Sequence, residues 1–170
     1  MMTDDKISSH TMAVLVDNEA GVLARVIGLF SGRGYNIDSL AVAEVDGDGQ
    51  MSRITIVTCG TPMVVEQIKA QLGRLVSVHR VVDLTVEAES VERELALIKV
   101  SGNGDNRVEA LRLSEAFRAR VVDATPASFI FELTGRKEKV DAFIDLMRPI
   151  GLQEVSRTGV VAISRGPDPL

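Results

Sequence analysis

One continuous stretch of this chain, residues 17–37, has the residue types needed to hold a small anion. It reads Asp-Asn-Glu-Ala-Gly, continues as an amphipathic helical pattern and ends in Gly-Tyr-Asn-Ile. Asn18 favours a helix start, and the first backbone N–H groups of a helix have no partners inside it. Gly21 lets a ligand approach those donors without a Cβ in the way. A carboxylate there would meet N–H groups and the positive end of the helix dipole.

The same stretch has groups that suit the rest of an amino acid. The Asn18 side-chain oxygen, or a nearby carbonyl, can accept from an ammonium group, and Val22, Leu23 and Ile37 can line an aliphatic pocket. Such a pocket suits a small α-amino acid with a branched apolar side chain. From the residues alone, a normally capped helix with a turn glycine is the simpler interpretation, and the ligand cradle is the alternative.

Elsewhere the chain offers few groups for covalent or metal chemistry. His10 and His79 are the two histidines, both at strand positions, and Cys59 follows an apolar run that predicts a buried, inert thiol. Asp46 and Asp48 flank turn glycines, which favours solvated carboxylates. The sequence therefore predicts no catalytic residues, no metal site and no cofactor held by this chain.

Two nucleotide-binding patterns are also disfavoured. The glycines at 102 and 104 lie between a strand and a helix, but the Gly-Lys-Ser/Thr ending of a phosphate loop is missing. The strands predicted at 36–45 and 51–58 lack the exposed aromatic side chains that RNA-recognition folds use for stacking. We therefore expect no nucleic-acid partner.

Composition indicates a globular protein with an aliphatic core. The 170 residues are 45% hydrophobic and 4% aromatic, with a formal net charge of −5. That charge argues against nonspecific binding to nucleic acid or an anionic membrane. The start of the chain lacks an apolar signal region and no stretch reaches membrane-spanning length, so we expect a cytoplasmic protein.

The first half alternates between strand and helix periods. Apolar spacing predicts strands at 10–17, 35–45, 51–58 and 76–86, a first helix around 22–30 and a second that begins at Thr61-Pro62. On the third strand, Arg53 and Thr55 alternate with Ile54 and Ile56, as expected for a sheet with one wet face. The order β-α-β-β-α-β predicts a ferredoxin-like domain, an antiparallel sheet with both helices on one face. We assign residues 1–9 to an N-terminal tail and 10–86 to this domain.

The second half repeats the same order. Residues 87–92 are polar and read as a linker, and residues 93–165 form a second ferredoxin-like domain whose second helix ends near Pro149. Residues 166–170 read as a disordered tail. The fold class predicted is therefore α+β, with two tandem ferredoxin-like domains.

Several motifs resemble one known family. Residues 18–26 (NEAGVLARV), 28–30 and 33–40 (RGYNIDSL) resemble the N-terminal ACT domain of the small, regulatory subunit of acetolactate synthase (acetohydroxyacid synthase). The resemblance continues through 52–56 and 67–72, then 91–95, 122–126 (VDATP), 156–160 (SRTGV) and 164–166. It covers residues 8 to 166 in order, so the motifs together are specific.

This resemblance implies a regulatory function. Subunits of this kind activate a large catalytic subunit that uses thiamine diphosphate, Mg²⁺ and FAD in branched-chain amino acid biosynthesis. They have no active site, and they confer feedback inhibition, usually by valine, although leucine or isoleucine remain possible effectors. A freestanding ACT-type sensor acting on another partner is the alternative, and an enzyme in its own right is disfavoured by the missing catalytic groups.

The resemblance also implies a site divided between two chains. ACT domains of this family pair side by side as homodimers and place the effector at the interface. One protomer would contribute Asn18, Gly21, Val22 and Leu23, and its partner would contribute Asn36 and Ile37.

Overall fold

The computed structural model describes residues 6–45 and 47–170. The first half of the chain contains β1 (Ser8–Asp17), α1 (Val22–Gly32), β2 (Ser39–Glu44), β3 (Met51–Gly60), α2 (Pro62–Leu72) and β4 (Val78–Asp83). The second half contains β5 (Ser90–Ser101), α3 (Asp105–Phe117), β6 (Arg120–Ala124), β7 (Ser128–Gly135), α4 (Lys137–Gly151), β8 (Leu152–Arg157) and β9 (Val161–Ser164). The predicted α+β class with two ferredoxin-like repeats is confirmed.

The first sheet has the strand order β2-β3-β1-β4, with every neighbouring pair antiparallel. Alternate residues of β1 and β3 face the two helices, because side chains alternate across a strand. These side chains form an aliphatic core with one stripe from each helix, which includes Val14, Val26, Ile56, Ile68 and Leu72. The two edge strands of this sheet are β2 and β4.

The second sheet has five strands, four of which repeat that order as β6-β7-β5-β8, again antiparallel. The fifth strand, β9, pairs with β5. Its core contains three of the five phenylalanines of the chain, Phe129, Phe131 and Phe143, packed against Ile98 and Leu133. The ring centroids of Phe131 and Phe143 lie 5.9 Å apart in an edge-to-face arrangement, which aromatic pairs favour.

The chain divides into two compact units, and the first unit is made of two separate segments of the chain. The first unit consists of the chain up to Val91 together with Val161–Leu170, and the second unit is Glu92–Val160. The sequence pattern predicts that the second domain extends to residue 165, and the grouping by contacts places β9 in the first unit. Strand β5 begins at Ser90, inside the predicted linker.

The first unit has a second, smaller core on the sheet face away from its helices. Ala13, Val82 and Leu84 are buried there with Ala162 of β9, and Leu170 packs against them. The prediction of a disordered tail at 166–170 was therefore wrong for Leu170. The expected wet face is also only partly correct, because Thr55 is 4% exposed.

Helix α4 ends later in the chain than the sequence pattern predicts. It continues past Pro149 to Gly151, since Ile150 is buried and holds the last turn against the core. Gly151 has a φ of 139°, and a Cβ there would lie 1.9 Å from the carbonyl oxygen of Ser101. Only glycine fits where this helix turns directly into β8. No helix within residues 6–45 and 47–170 is both long and apolar enough to cross a membrane.

Candidate effector-binding site

The start of α1 differs from the sequence prediction in its capping residue. Gly21, not Asn18, is the N-cap, with φ 87° in the left-handed region. An L-residue adopts that conformation at a cost, whereas glycine adopts it freely. A Cβ at Gly21 would meet only Arg25 Nη1 at 3.7 Å, so the space in front of the helix is open.

The four backbone N–H groups at the start of this helix, those of residues 22–25, differ in whether they have an acceptor. The Val22 N–H donates to the Glu19 carbonyl at 3.4 Å, and the Arg25 N–H donates to the Gly21 carbonyl at 3.0 Å. The N–H groups of Leu23 and Ala24 meet no acceptor in the part of the chain that the structure describes. Two adjacent donors at the positive end of a helix form an arrangement that suits a carboxylate.

Asn18 is oriented by two acceptors rather than by a capping bond. Its Nδ2 donates to Glu44 Oε1 and to the Gly49 carbonyl, each at 2.9 Å. Because both neighbours are acceptors, the amide nitrogen must face them and Oδ1 must face away. Within the described ranges no donor meets Oδ1, so it is open to a cationic group.

A network that the sequence analysis missed braces the turn before α1. Glu19 Oε1 accepts from Arg25 Nη2 at 2.6 Å and from Ser77 Oγ at 2.6 Å, and Arg25 Nη2 also donates to Ser77 Oγ at 3.0 Å. Ser77 is buried. The six-residue separation of Glu19 and Arg25 matches no helical pairing, and Ser77 is distant in sequence, so no local pattern indicated the network.

The second group of predicted residues lies where the chain leaves α1 and approaches β2. The Asn36 side chain donates to Asp38 Oδ1, and the Asn36 carbonyl accepts from Thr58 Oγ1 at 2.6 Å. Asn36 is exposed, while Ile37 is half-buried against the core. Nearby, Cys59 is exposed and its thiol donates to Asp38 Oδ2 at 3.1 Å, so the predicted burial of this thiol was wrong.

The two groups lie at opposite ends of one helix. Gly21 precedes α1 and Asn36 follows it, and the 11 residues of α1 span about 16 Å at 1.5 Å per residue. A single small amino acid cannot touch both ends of such a helix. One chain therefore brings together Asn18, Gly21 and Leu23, and separately Asn36 and Ile37, but not the two groups.

Val22 and Leu23 differ in what they can offer a ligand. The Val22 side chain is 4% exposed and packs in the core, so the expectation that it lines a pocket was wrong. Leu23 is 38% exposed, and one turn later Ile27 is 37% exposed. These two residues form an apolar stripe on the outside of α1, because residues four apart share a helix face.

The histidines hold structural positions. His10 is buried, with Nδ1 2.7 Å from Asp83 Oδ2 and Nε2 2.9 Å from Ser8 Oγ. His79 Nε2 lies 2.6 Å from Asp17 Oδ1. No group of three or more His, Cys, Asp or Glu side chains suited to a metal ion occurs among residues 6–45 and 47–170.

Comparison with known proteins first defines the class of the site-bearing unit. Residues 12–80 match the family model described as AHAS small subunit-like ACT domain. The first unit is thus an ACT domain. Residues 93–166 match the model described as Small subunit of acetolactate synthase.

Relatives that match more than nine tenths of the chain then define the family. The chain is 52% identical over 157 residues to the probable acetolactate synthase small subunit of Archaeoglobus fulgidus, covering 92% of this chain and 97% of that protein. It is 48% identical over 156 residues to the acetolactate synthase isozyme 3 small subunit of Salmonella typhimurium, covering 91% and 94%. The crystal structure of the acetolactate synthase small subunit from Thermotoga maritima superposes with a TM-score of 0.85 at 38% identity, over 95% and 99% of the two chains. This chain belongs to the acetolactate synthase small subunit family.

Proposed function

We propose that this chain activates a thiamine-diphosphate-dependent acetolactate synthase catalytic subunit and makes it sensitive to valine. Family membership supports the subunit role, because relatives at 43–52% identity carry that name. The observation that carries the effector proposal is the pair of polar groups at the two ends of α1. In this proposal thiamine diphosphate, Mg²⁺ and FAD belong to the catalytic subunit.

The chemistry at the start of α1 matches the head of an α-amino acid. The Leu23 and Ala24 N–H groups would bind the carboxylate, and Asn18 Oδ1 would accept from the ammonium group. Gly21 leaves room for the ligand backbone. Ile37 and Leu23 would contact a branched aliphatic side chain, whereas Val22 contributes its backbone alone.

A second copy of the chain would complete the site. Strand β2 is one of the two edge strands of the first sheet, and Val42 on that strand is 43% exposed. Edge strands offer unpaired backbone groups to another chain. The exposed Leu23–Ile27 stripe gives the same protomer an apolar surface on α1 for that copy. A two-fold axis would then place Asn36 of one protomer beside Gly21 of its partner.

A ligand held between two protomers has a direct route to regulation. An effector shifts a conformational equilibrium only by its difference in affinity for the two states, with typical coupling of about 1–3 kcal/mol. Because each protomer supplies half of the site, the affinity for valine depends on how the protomers sit. Valine would thereby favour one arrangement of the regulatory dimer and restrain the catalytic subunit.

Reconstitution tests the role of the subunit. Acetolactate formation by the cognate catalytic subunit is measured alone, with this chain, and with this chain plus valine, leucine or isoleucine. We expect activation by the chain and inhibition by valine. Valine binding without any effect on acetolactate formation would instead support a freestanding sensor, and acetolactate formation by this chain alone would support an enzyme.

The variant Gly21→Asp tests the site, and Gly21→Asn is its matched control. Both substitutions place a side chain of the same shape in the left-handed conformation, but only aspartate adds a charge that repels a carboxylate. We expect Gly21→Asp to raise the valine concentration for half-inhibition at least about tenfold more than Gly21→Asn, with activation retained. Equal valine responses in the two variants would refute the carboxylate position.

Asn36→Ala tests the other half of the site. Because Asn36 is exposed, we expect its replacement to weaken valine inhibition and to change unfolding free energy by no more than about 0.5 kcal/mol. Asn103→Ala, an exposed asparagine of the second unit, is the control and should leave the valine response unchanged. A large loss of thermal stability in Asn36→Ala would show that the residue is purely structural.

A further inference from the structure

A cavity of about 470 Å³ lies in the first unit, apart from the start of α1 and the approach to β2. It is on the sheet face away from the helices, between β1, β3 and the segment that begins at Ile163. Leu15, Val45, Met51 and Ile163 form apolar parts of its wall, and the segment 166–170 lines another side. Its volume is within the range of small-molecule sites, about 300–1,000 Å³.

One cation in this cavity has no carboxylate partner among residues 6–45 and 47–170. Arg53 lies directly opposite Leu15 in the β1–β3 register, and its Nη2 donates to the Ala162 carbonyl at 2.6 Å. No carboxylate pairs with Arg53 in the described portion of the chain. Burial lowers the pKa of the Arg53 guanidinium below its ordinary value, although the group stays charged at neutral pH. A partly desolvated cation without an anion is costly unless a ligand supplies one.

An anion on this chain lines the same cavity without neutralising that cation. Asp168 is exposed, and no ion pair joins it to Arg53. The cavity thus presents separate positive and negative groups beside an aliphatic wall. The ligand chemistry that matches all three features is a zwitterion with an apolar side chain.

We infer that this cavity is a second binding site for an aliphatic α-amino acid, distinct from the ACT dimer site. Arg53 binds the carboxylate, Asp168 receives the ammonium group, and the aliphatic side chain lies against Leu15, Met51 and Ile163. Because residues 163–170 form part of the wall, the bound amino acid fixes the C-terminal segment on the sheet.

The full chain carrying Gly21→Asp isolates this site from the first one. L-Leucine, L-valine and the oxo-acid analogue of leucine, 4-methyl-2-oxopentanoate, are titrated calorimetrically, and far-ultraviolet circular dichroism checks folding. We expect one amino acid bound per Gly21→Asp chain and slower amide hydrogen exchange in residues 163–165. Absence of binding by the folded chain at millimolar amino acid overturns the inference.

Substitutions assign the two charged groups. Arg53→Gln, which keeps an amide donor for the Ala162 carbonyl, should weaken amino acid binding about tenfold or more, and Arg74→Gln on the surface should not. Asp168→Asn should weaken amino acid binding about threefold, because the group is exposed, and leave the oxo acid unaffected. Unchanged affinity in Arg53→Gln, or equal losses for amino acid and oxo acid in Asp168→Asn, contradicts the assignment.

This test is independent of the effector proposal. Amino acid binding to the Gly21→Asp chain is measured without any catalytic subunit. Binding in the cavity can therefore be observed even if valine does not inhibit the catalytic subunit. If the cavity binds no amino acid, the effector proposal still stands, because valine inhibition of the catalytic subunit can be intact in Arg53→Gln.

Discussion

Replacing Arg157 with methionine should destabilise the second unit more than any single change at its surface. Arg157 donates to both carboxylate oxygens of Glu94, at 2.9 and 2.6 Å, and to Asp141 Oδ1 at 2.6 Å. The Glu94 side chain is 5% exposed, whereas that of Arg157 is 30% exposed. The hydrogen bonds that Arg157 donates to Glu94, and then the one that it donates to Asp141, hold the pKa of Arg157 above its ordinary value despite burial.

The expected loss of unfolding free energy depends on which charged group each substitution leaves without a partner. Removing one member of a buried pair costs about 3–5 kcal/mol, because the other charge stays buried and uncompensated. Since Arg157 is partly exposed, the lower end, about 3 kcal/mol, applies to Arg157→Met. In Glu94→Gln the guanidinium keeps Asp141 and water, so we expect about 1.5 kcal/mol.

Native-state hydrogen exchange measures this loss in the correct unit. The two compact units need not unfold together, so a single denaturation curve would mix them. Peptides covering residues 95–101 report opening of β5, and peptides covering 12–16 report the first unit. We expect Arg157→Met to lower the opening free energy of the former and leave the latter unchanged.

The double variant tests whether the unpaired, buried Glu94 carboxylate causes the destabilisation in Arg157→Met. Arg157→Met with Glu94→Gln should be less destabilised than the sum of the single variants, since no buried charge then remains. Asp141→Asn, at a more exposed partner, is the control and should cost under about 1 kcal/mol. Equal costs for Arg157→Met and Glu94→Gln, adding without coupling, would refute this reasoning.

Three other predictions concern the first unit. The hydrogen bond from Lys69 holds the pKa of Glu87 below its ordinary value. The contact between Lys69 and Glu87 therefore stabilises the fold above about pH 4.5, and this stabilisation is lost as the pH falls below that value. Glu87→Gln should therefore flatten the fall of Tm between pH 5 and 3, and an unchanged slope would contradict the contact. Cys59 should react with a maleimide in the folded chain, as mass spectrometry can show, and protection until denaturant is added would contradict its exposure. Thr61→Ala should cost about 1 kcal/mol of unfolding free energy in urea, because Thr61 Oγ1 accepts from the Val64 N–H, whereas Thr61→Ser should cost less.

Periodic patterns predicted the elements well where the forces that form them are local. Val22, Val26 and Phe30 follow helical spacing and are all buried on α1. Thr61 and Pro62 begin α2 as expected, because capping and the fixed proline φ act within one turn. The repeated strand and helix order was enough to predict two ferredoxin-like sheets.

Contacts between distant residues were not predictable in the same way. Helix propensity favours Asn18 as an N-cap, but hydrogen bonds to Glu44 and Gly49 position it elsewhere. Ser77 reaches Glu19 only because the sheet brings β4 beside β1. The apolar run before Cys59 suggested burial, yet Cys59 is exposed near the end of β3, although Thr55 and Val57 on the same face are buried.

The position of β9 affects the order in which this protein can fold during synthesis. About 80 residues separate the end of β4 at Asp83 from the end of β9 at Ser164. At ribosomal rates of about 5–20 residues per second, Ala13, Val82 and Leu84 wait about 4–16 seconds for Ala162 to cover them. During that interval the nascent ACT sheet presents an apolar face that chaperones or a second nascent chain can bind. The synthesis of residues 161–170 therefore determines when the first domain is complete.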